Sequence, residues 1–395
     1  MKVARLPLPV VPASTIPPPP IPIALLDLAA EHAPYQAELD AAWQATVRQA
    51  AFIQGPAVGE FAGALSAYLG GAEVVPCANG TDALTLALLS LGLPPGTEVI
   101  VPAFTYVATL EAAALLGLRP VLVDVLPDTF NLDPAAVRAA LGPRTGAVVA
   151  VHLFGQCADL EQIMWLCQAA GVALIEDNAQ ALGATYTFAD GRTARAGTVG
   201  EVGTTSFFPS KNLGCLGDGG ALFTRDAARA ARLRQLANHG QSRKYVHELV
   251  GLNSRLDTLQ AALLHVKLRH LPAAQAARQA RAARYDAALG SLPELQVPFR
   301  DPRSTHVFHQ YTLRIAAGRR DALQTQLREN GVPTAVYYPL PLHLQPAYAY
   351  LGYQGGDFPV AEALCREVLS LPVHPALTES QQEYIVALLQ RVSHL

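Results

Sequence analysis

The sequence predicts a doubly wound α/β protein: a mostly parallel sheet flanked by helices, followed by a smaller C-terminal α/β unit. Two observations carry this. Four short, very apolar runs, "EVIVP" (98–102), "RPVLVDV" (119–125), "GAVVAVH" (146–152) and "VALIED" (172–177), alternate with stretches of helical periodicity. Continuous rather than alternating apolar runs fit strands buried on both faces, as parallel strands between helix layers are. From about Leu256 the texture changes to long Ala/Leu/Arg-rich helical patterns, and a new strand-like run, "QYTLRI" (310–315), opens a second region.

Taken in order, "MKVARLPLPVVPASTIPPPPIPI" is interrupted too often by proline to form a signal-peptide core. Residues 1–22 read as a mobile, polyproline-type extension. An amphipathic helix is expected near Pro34–Gln54, with Pro34 at its first position, where a missing amide proton costs little. "TDALTLALLSLG" and "DLEQIMWLCQAAG" read as crossover helices between the strands. "RLDTLQAALLHVKLRHL" and "AAQAARQARAARYDAAL" continue as helix, and the domain boundary is placed inside it, near Leu271–Pro272. The organisation is then a large domain over 23–271 and a small one over 272–395, without internal repeats.

Composition narrows the function classes. Hydrophobic residues make up 51% and charged residues 15%, with a formal net charge of -3, which suits a compact enzyme and offers no basic footprint for nucleic acid. No run of about 20 apolar residues free of charge and proline exists, so no membrane span is expected. The five cysteines are widely spaced, without C-x-x-C, which reads as free thiols in a reducing cytoplasm rather than a disulfide framework or zinc cage.

In a doubly wound sheet, ligands bind beyond the carboxyl ends of the strands. Four features fall there. In "CANGTDAL", Gly80-Thr81-Asp82 opens a helix whose free amides favour an anion, although Thr81 or Asp82 also suits an ordinary N-cap. In "PAFTYVAT", Tyr106 could stack on a planar ring or simply fill the core. In "LIEDNAQ", Asp177 ends a very apolar strand, where a carboxylate needs a partner such as a protonated ring nitrogen, a helix N-terminus or a buried cation. Gln180 follows three residues later and could reach an oxygen on the same ring. In "SFFPSKNLGCLGDGG", Lys211 lies between an apolar turn and a glycine run. Apolar surroundings free an amine's lone pair for imine formation, while the ordinary reading packs the stem on Phe207 or Phe208. Ser206 could add a phosphate donor. A phosphate, a flat ring, a ring nitrogen needing a carboxylate and an aldehyde needing an amine are the parts of pyridoxal 5′-phosphate.

These motifs, together with "VHLFGQCADL" and "GLNSRLDTLQAALL", resemble the DegT/DnrJ/StrS family of nucleotide-sugar aminotransferases over nearly the whole chain from Ile23. The resemblance implies fold type I of the pyridoxal-phosphate-dependent transferases, aspartate aminotransferase-like, and a homodimer with shared active sites. By motif, Lys211 holds the cofactor's aldehyde, Asp177 pairs with the pyridine nitrogen, Gln180 touches the phenolic oxygen and Tyr106 stacks on the ring. Thr81, the Gly80–Asp82 backbone and Ser206 take the phosphate, and Asn253 reaches the phosphate held by the neighbouring subunit. The amino donor implied is L-glutamate.

"HGQSRKY", "GLNSRLDTLQAA" and "GVPTAVYYPLPLH" look most like the subgroup that aminates UDP-2-acetamido-3-keto-glucuronate for surface polysaccharides of the O-antigen type. Its uronate carboxylate calls for a cation. Arg255 is the candidate, against an intersubunit salt bridge; Tyr338 and His309 are further substrate candidates. His306 and His309 at i, i+3 lack the clustered carboxylates or cysteines of a metal site. Alternatives are another keto-sugar (dTDP-3-keto-6-deoxyhexose or UDP-4-keto sugar) or an amino-acid aminotransferase of the same fold gripping an α-carboxylate with Arg314 or Arg366. Related dehydratases carry histidine in place of the lysine, which Lys211 argues against.

Overall fold

The computed structural model describes residues 22–316 and 318–392. The mobile tail expected over 1–22 therefore lies, apart from Pro22, outside the described residues. Helices α1 (Leu28–His32), α2 (Gln36–Gln49) and α3 (Pro56–Tyr68) lead into the sheet. Pro34 occupies a short 3-10 turn, Ala33–Tyr35, rather than the first position of α2. The expected helix to Gln54 stops at Gln49 because Ala50 adopts φ 52°, a left-handed cap that turns the chain.

Seven strands form the central sheet: β1 (Glu73–Cys77), β2 (Glu98–Pro102), β3 (Arg119–Val123), β4 (Thr145–Val151), β5 (Ala173–Asp177), β8 (Val202–Ser206) and β9 (Gly220–Thr224). Between β5 and β8 a small hairpin pairs β6 (Thr185–Thr187) with β7 (Thr193–Arg195). The sheet order is β1-β9-β8-β5-β4-β2-β3, with only β9 antiparallel to its neighbours. Helices α4 (Gly80–Ser90), α5 (Ala108–Leu115), α6 (Pro134–Ala140), α7 (Leu160–Ala170) and α8 (Ala227–Leu236) cover it. All four apolar runs singled out in the sequence are strands of this sheet. Their alternate residues divide between two cores: Val99, Val101 and Val149 pack on one face, and Ile100, Val148 and Ala150 on the other. That two-sided burial is what makes the runs continuous in hydrophobicity.

A second hairpin, β10 (Gln241–Arg243) with β11 (Val246–His247), precedes the long α9 (Thr258–Leu289), which continues through Pro272. A three-stranded antiparallel sheet follows, from β12 (Leu295–Gln296), β13 (Tyr311–Ile315) and β14 (Val368–Leu371). It is covered by α10 (Arg320–Glu329) and α12 (Glu379–Val392), with Leu313, Leu323, Leu369 and Ile385 in one cluster. Two segments cross between the regions. Ile23 packs in this C-terminal core, while Leu342, Phe358 and Leu364, the last on α11 (Pro359–Glu367), pack in the core of the large sheet. The second crossing carries the loop before Leu342 over the carboxyl ends of the parallel strands, where the backbone amide of Leu342 donates to Ala103.

Candidate active site

A cavity of about 570 Å³ opens at that edge of the sheet. Its walls come from the ends of β2, β4, β5 and β8, the start of α4, and the loops around His309 and Tyr338. Gly80, Thr81, Tyr106, Asp177, Gln180, Ser206, Lys211, His309 and Tyr338, each singled out from sequence, all line it.

Asp177 closes β5 and is only 7% exposed. Parallel pairing with β4 and β8 leaves the strand no freedom to turn its last side chain away. Oδ2 accepts a hydrogen bond from the Thr109 hydroxyl at 2.8 Å and Oδ1 one from the Ala179 amide at 3.1 Å. No cation pairs with this carboxylate among the described residues, although a buried charge needs compensation. The preceding Glu176, fully buried, faces away from the cavity. It accepts from His152 Nε2 and from the amides of Gly197, Val199 and Gly200. Burial pushes its carboxyl up, but the His152 and backbone hydrogen bonds outweigh this and hold it below the usual range.

Lys211 sits in the loop after β8, its backbone amide donating to Phe208. Its amine has no hydrogen bond or ion pair among the described residues. Burial lowers its pKa to about 8, against the opposing pull of Asp177. The neutral amine is then a sizeable fraction at physiological pH, the state a nucleophilic lysine requires.

The anion end is built at α4. Asn79 is its N-cap: the side-chain oxygen accepts from the Asp82 amide at 2.8 Å, which leaves the Gly80 and Thr81 amides open toward the cavity. Asp82 does not join them, because its amide is taken by Asn79 and its carboxylate accepts from the buried Ser254 hydroxyl at 2.6 Å. Ser206 faces Gly80 so closely that a β-carbon on Gly80 would stand 2.6 Å from the Ser206 β-carbon. The glycine leaves room where two backbones and a ligand converge.

Tyr106 is 58% exposed at the mouth, and its ring lies 6.2 Å from that of Tyr338. Gln180 is committed on both sides, accepting from the Phe154 amide at 2.7 Å and donating to the Tyr338 hydroxyl at 3.0 Å. It thereby ties the large sheet to the loop that crosses over it. Burial raises the Tyr338 hydroxyl well above its ordinary value, so it stays protonated.

Asn253 and Arg255 are not brought to this cavity. Asn253 is exposed, and Arg255 lines a separate cavity of about 550 Å³ beside α3, without a hydrogen-bond partner among the described residues. Arg314 is held by Glu367 at 2.7 Å, Arg366 is exposed, and neither lines the cavity. The His306 Nδ1 accepts from the Phe308 amide, and its ring stacks on Phe308 at 3.8 Å. The sequence reading missed Thr109, Thr105, Phe154, Gln310 and Tyr337. Thr109 lay within the "PAFTYVAT" stretch, where a hydroxyl soon after a strand end was the available signal.

The residues fit a cofactor with an aldehyde, a basic ring nitrogen and a phosphate. An unpaired buried-loop amine, a carboxylate without a cation and a helix start cleared by glycine converge on one cavity. Among the described residues no helix is long and apolar enough to cross a membrane.

The sequence model of the DegT/DnrJ/EryC1/StrS aminotransferase family matches residues 35–390. UDP-2-acetamido-2-deoxy-3-oxo-D-glucuronate aminotransferase of Pseudomonas aeruginosa is 45% identical over 93% of this chain and 99% of its own. A protein of Geobacillus stearothermophilus named pleiotropic regulatory protein is 44% identical over 92% of this chain and 96% of its own. The crystal structure of S. venezuelae DesV in complex with a ketimine intermediate superposes with a TM-score of 0.91 at 40% identity, covering 95% of this chain and 99% of that one.

Proposed function

Because this chain belongs to the DegT/DnrJ/EryC1/StrS aminotransferase family, we propose that it moves an amino group from L-glutamate to a keto-sugar nucleotide, with UDP-2-acetamido-3-keto-glucuronate as preferred acceptor. The observation that carries the reading is the convergence of Lys211 and Asp177 on one cavity whose far end is the open start of α4. As in its family, the cofactor is pyridoxal 5′-phosphate. When bound, it supplies an aldehyde that links amines covalently and a protonated ring that takes up an electron pair.

In this reading the chain's own groups divide the work. Lys211 Nζ would hold the cofactor's aldehyde, and as a free amine it would be the group placed to remove the donor's α-proton and to return one. Asp177, oriented by Thr109, keeps the ring nitrogen protonated. The Gly80 and Thr81 amides and the Ser206 hydroxyl would hold the phosphate, the second Nε2 hydrogen of Gln180 would meet the phenolic oxygen, and Tyr106 would cover the ring. Tyr338 presents a protonated hydroxyl to the sugar.

The acceptor preference rests on the subgroup motifs and on the Pseudomonas relative. Among the described residues the cavity walls contain no arginine. A uronate carboxylate would find its cation from a second copy, for which the unpaired Arg255 and exposed Asn253 are available. The protein is then a homodimer of the cytoplasm. Exposed Phe208 and Tyr106 at the cavity mouth, and exposed Trp43, Val47 and Phe52 elsewhere, supply apolar surface for such a contact.

The test is a pair of half-reactions. Holoenzyme charged by L-glutamate is offered UDP-2-acetamido-3-keto-glucuronate, UDP-N-acetyl-3-keto-glucosamine or dTDP-3-keto-6-deoxyglucose, and cofactor absorbance follows the discharge. Fastest discharge by the uronate is expected. Faster discharge by the dTDP sugar overturns the acceptor assignment, and discharge only by α-keto acids overturns the sugar reading.

A further inference from the structure

We propose that His309 is a positioning residue for Lys211: its imidazole accepts a hydrogen bond from the free Lys211 amine and aims that amine across the cavity. This rests on the aminotransferase reading and assigns His309 to the lysine rather than to the sugar.

His309 is held in place by unusually restrictive backbone. It precedes β13, and Phe308 before it adopts φ 47°, a conformation that nonglycine residues adopt rarely. Gly155, at φ 113°, packs so tightly beneath that a β-carbon there would stand 2.9 Å from the Phe308 amide and 3.0 Å from that of His309. The Val307 amide donates to Gly155, and the Gln310 amide to Phe154. The Val307 carbonyl accepts from the Asn212 side chain, one residue after Lys211. The loop carrying His309 is thus clamped both to the end of β4 and to the lysine loop itself.

The ring is 7% exposed and lines the cavity. Nδ1 is buried without a partner. Nε2 makes no hydrogen bond to any described residue, and the ring lines the cavity. A buried imidazole with neither nitrogen engaged is costly unless something arrives to use it. The charged and titratable groups facing it are Lys211 from the loop after β8 and Arg278 from α9, with Asp177 and Tyr338 in the shared cavity. Burial first, then the two cations, hold the imidazole well below its ordinary pKa, so it stays uncharged across the neutral range. A neutral ring at this point accepts from the amine without adding a positive charge beside it, while burial outweighs the pull of Asp177 toward the ammonium.

Two variants separate positioning from packing. His309→Phe keeps the ring's bulk and removes the acceptor, whereas His309→Asn keeps a short polar acceptor. Full-length chain freed of cofactor is mixed with pyridoxal 5′-phosphate, and formation of the Lys211 link is followed by stopped-flow absorbance. The α-proton exchange of L-glutamate in D2O is then read by NMR on the reloaded enzyme. For His309→Phe both rates are expected to fall about tenfold, with the final absorbance, the KM for glutamate and the melting temperature retained, since a misaimed reactive group loses rate before affinity. His309→Asn is expected to stay within about threefold of wild type. Wild-type rates in His309→Phe, or equal losses in both variants, overturn the proposal. A wild-type protein that binds the cofactor yet exchanges no α-proton defeats the aminotransferase reading instead.

Discussion

The Thr109 hydroxyl, at the start of α5, donates to Asp177 Oδ2 at the end of β5 across 2.8 Å, 68 residues apart in the chain. The bond occupies one oxygen of a carboxylate that has no cation, and so fixes which edge faces the cavity. Thr109→Val leaves that oxygen unpaired and the carboxylate oriented by the Ala179 amide alone. A fall in kcat of about tenfold is expected with little change in substrate KM, since the hydrogen bond orients a group that acts on the cofactor ring. Steady-state kinetics with L-glutamate check this.

Asp177→Asn removes the charge and keeps the shape. A neutral amide cannot hold a pyridine nitrogen protonated, so turnover is expected to fall at least about a hundredfold while cofactor still binds through the phosphate end. Measured kcat and cofactor stoichiometry decide it.

Gly80→Ala places a methyl against Ser206, 2.6 Å from its β-carbon. The start of α4 must shift, and with it the two open amides. Equilibrium dialysis is expected to show about tenfold weaker retention of pyridoxal 5′-phosphate, with the helix itself intact because alanine favours it.

Burial brings Lys211 from 10.5 to about 8. The amine reacts only when deprotonated, so its attachment rate to added pyridoxal 5′-phosphate is expected to rise with pH and level off above about 8. The sign for stability follows the same shift. In cofactor-free chain the unfolded state binds the extra proton between the two values, so burial of this group costs stability that grows as pH falls from 10.5 to about 8. Stopped-flow rates from pH 6 to 10 report the midpoint.

Glu176→Ala strips the partner from His152 and from three backbone amides at a fully buried site. A loss of about 3–5 kcal/mol is expected in urea unfolding, from the donors left unpaired as much as from the bonds themselves.

Much of the large sheet could be read from the chain, because strands buried on both faces leave long apolar runs that no surface strand shows. β9 could not, since nothing within "GALFT" marks its reversed direction. In the site, Lys211, Asp177 and the α4 start were legible because each stood out against its local surroundings. Asn79 as the cap, the bond from Ser254 to Asp82, and the Gln180–Tyr338 bond were not, because each depends on a partner distant in sequence or on the direction of one side chain. Arg255 was chosen for the chemistry of its side chain, and the fold of a single chain takes it to a different cavity.

The central claim is a covalent bond between Lys211 and pyridoxal 5′-phosphate, and borohydride reduction of the loaded protein followed by peptide mass spectrometry tests it most directly. The reduced pyridoxyl group is expected on Lys211 alone, and absent from Lys211→Ala, which should also lack transaminase activity. A label on another lysine, or a Lys211→Ala protein that still exchanges amino groups, contradicts the account.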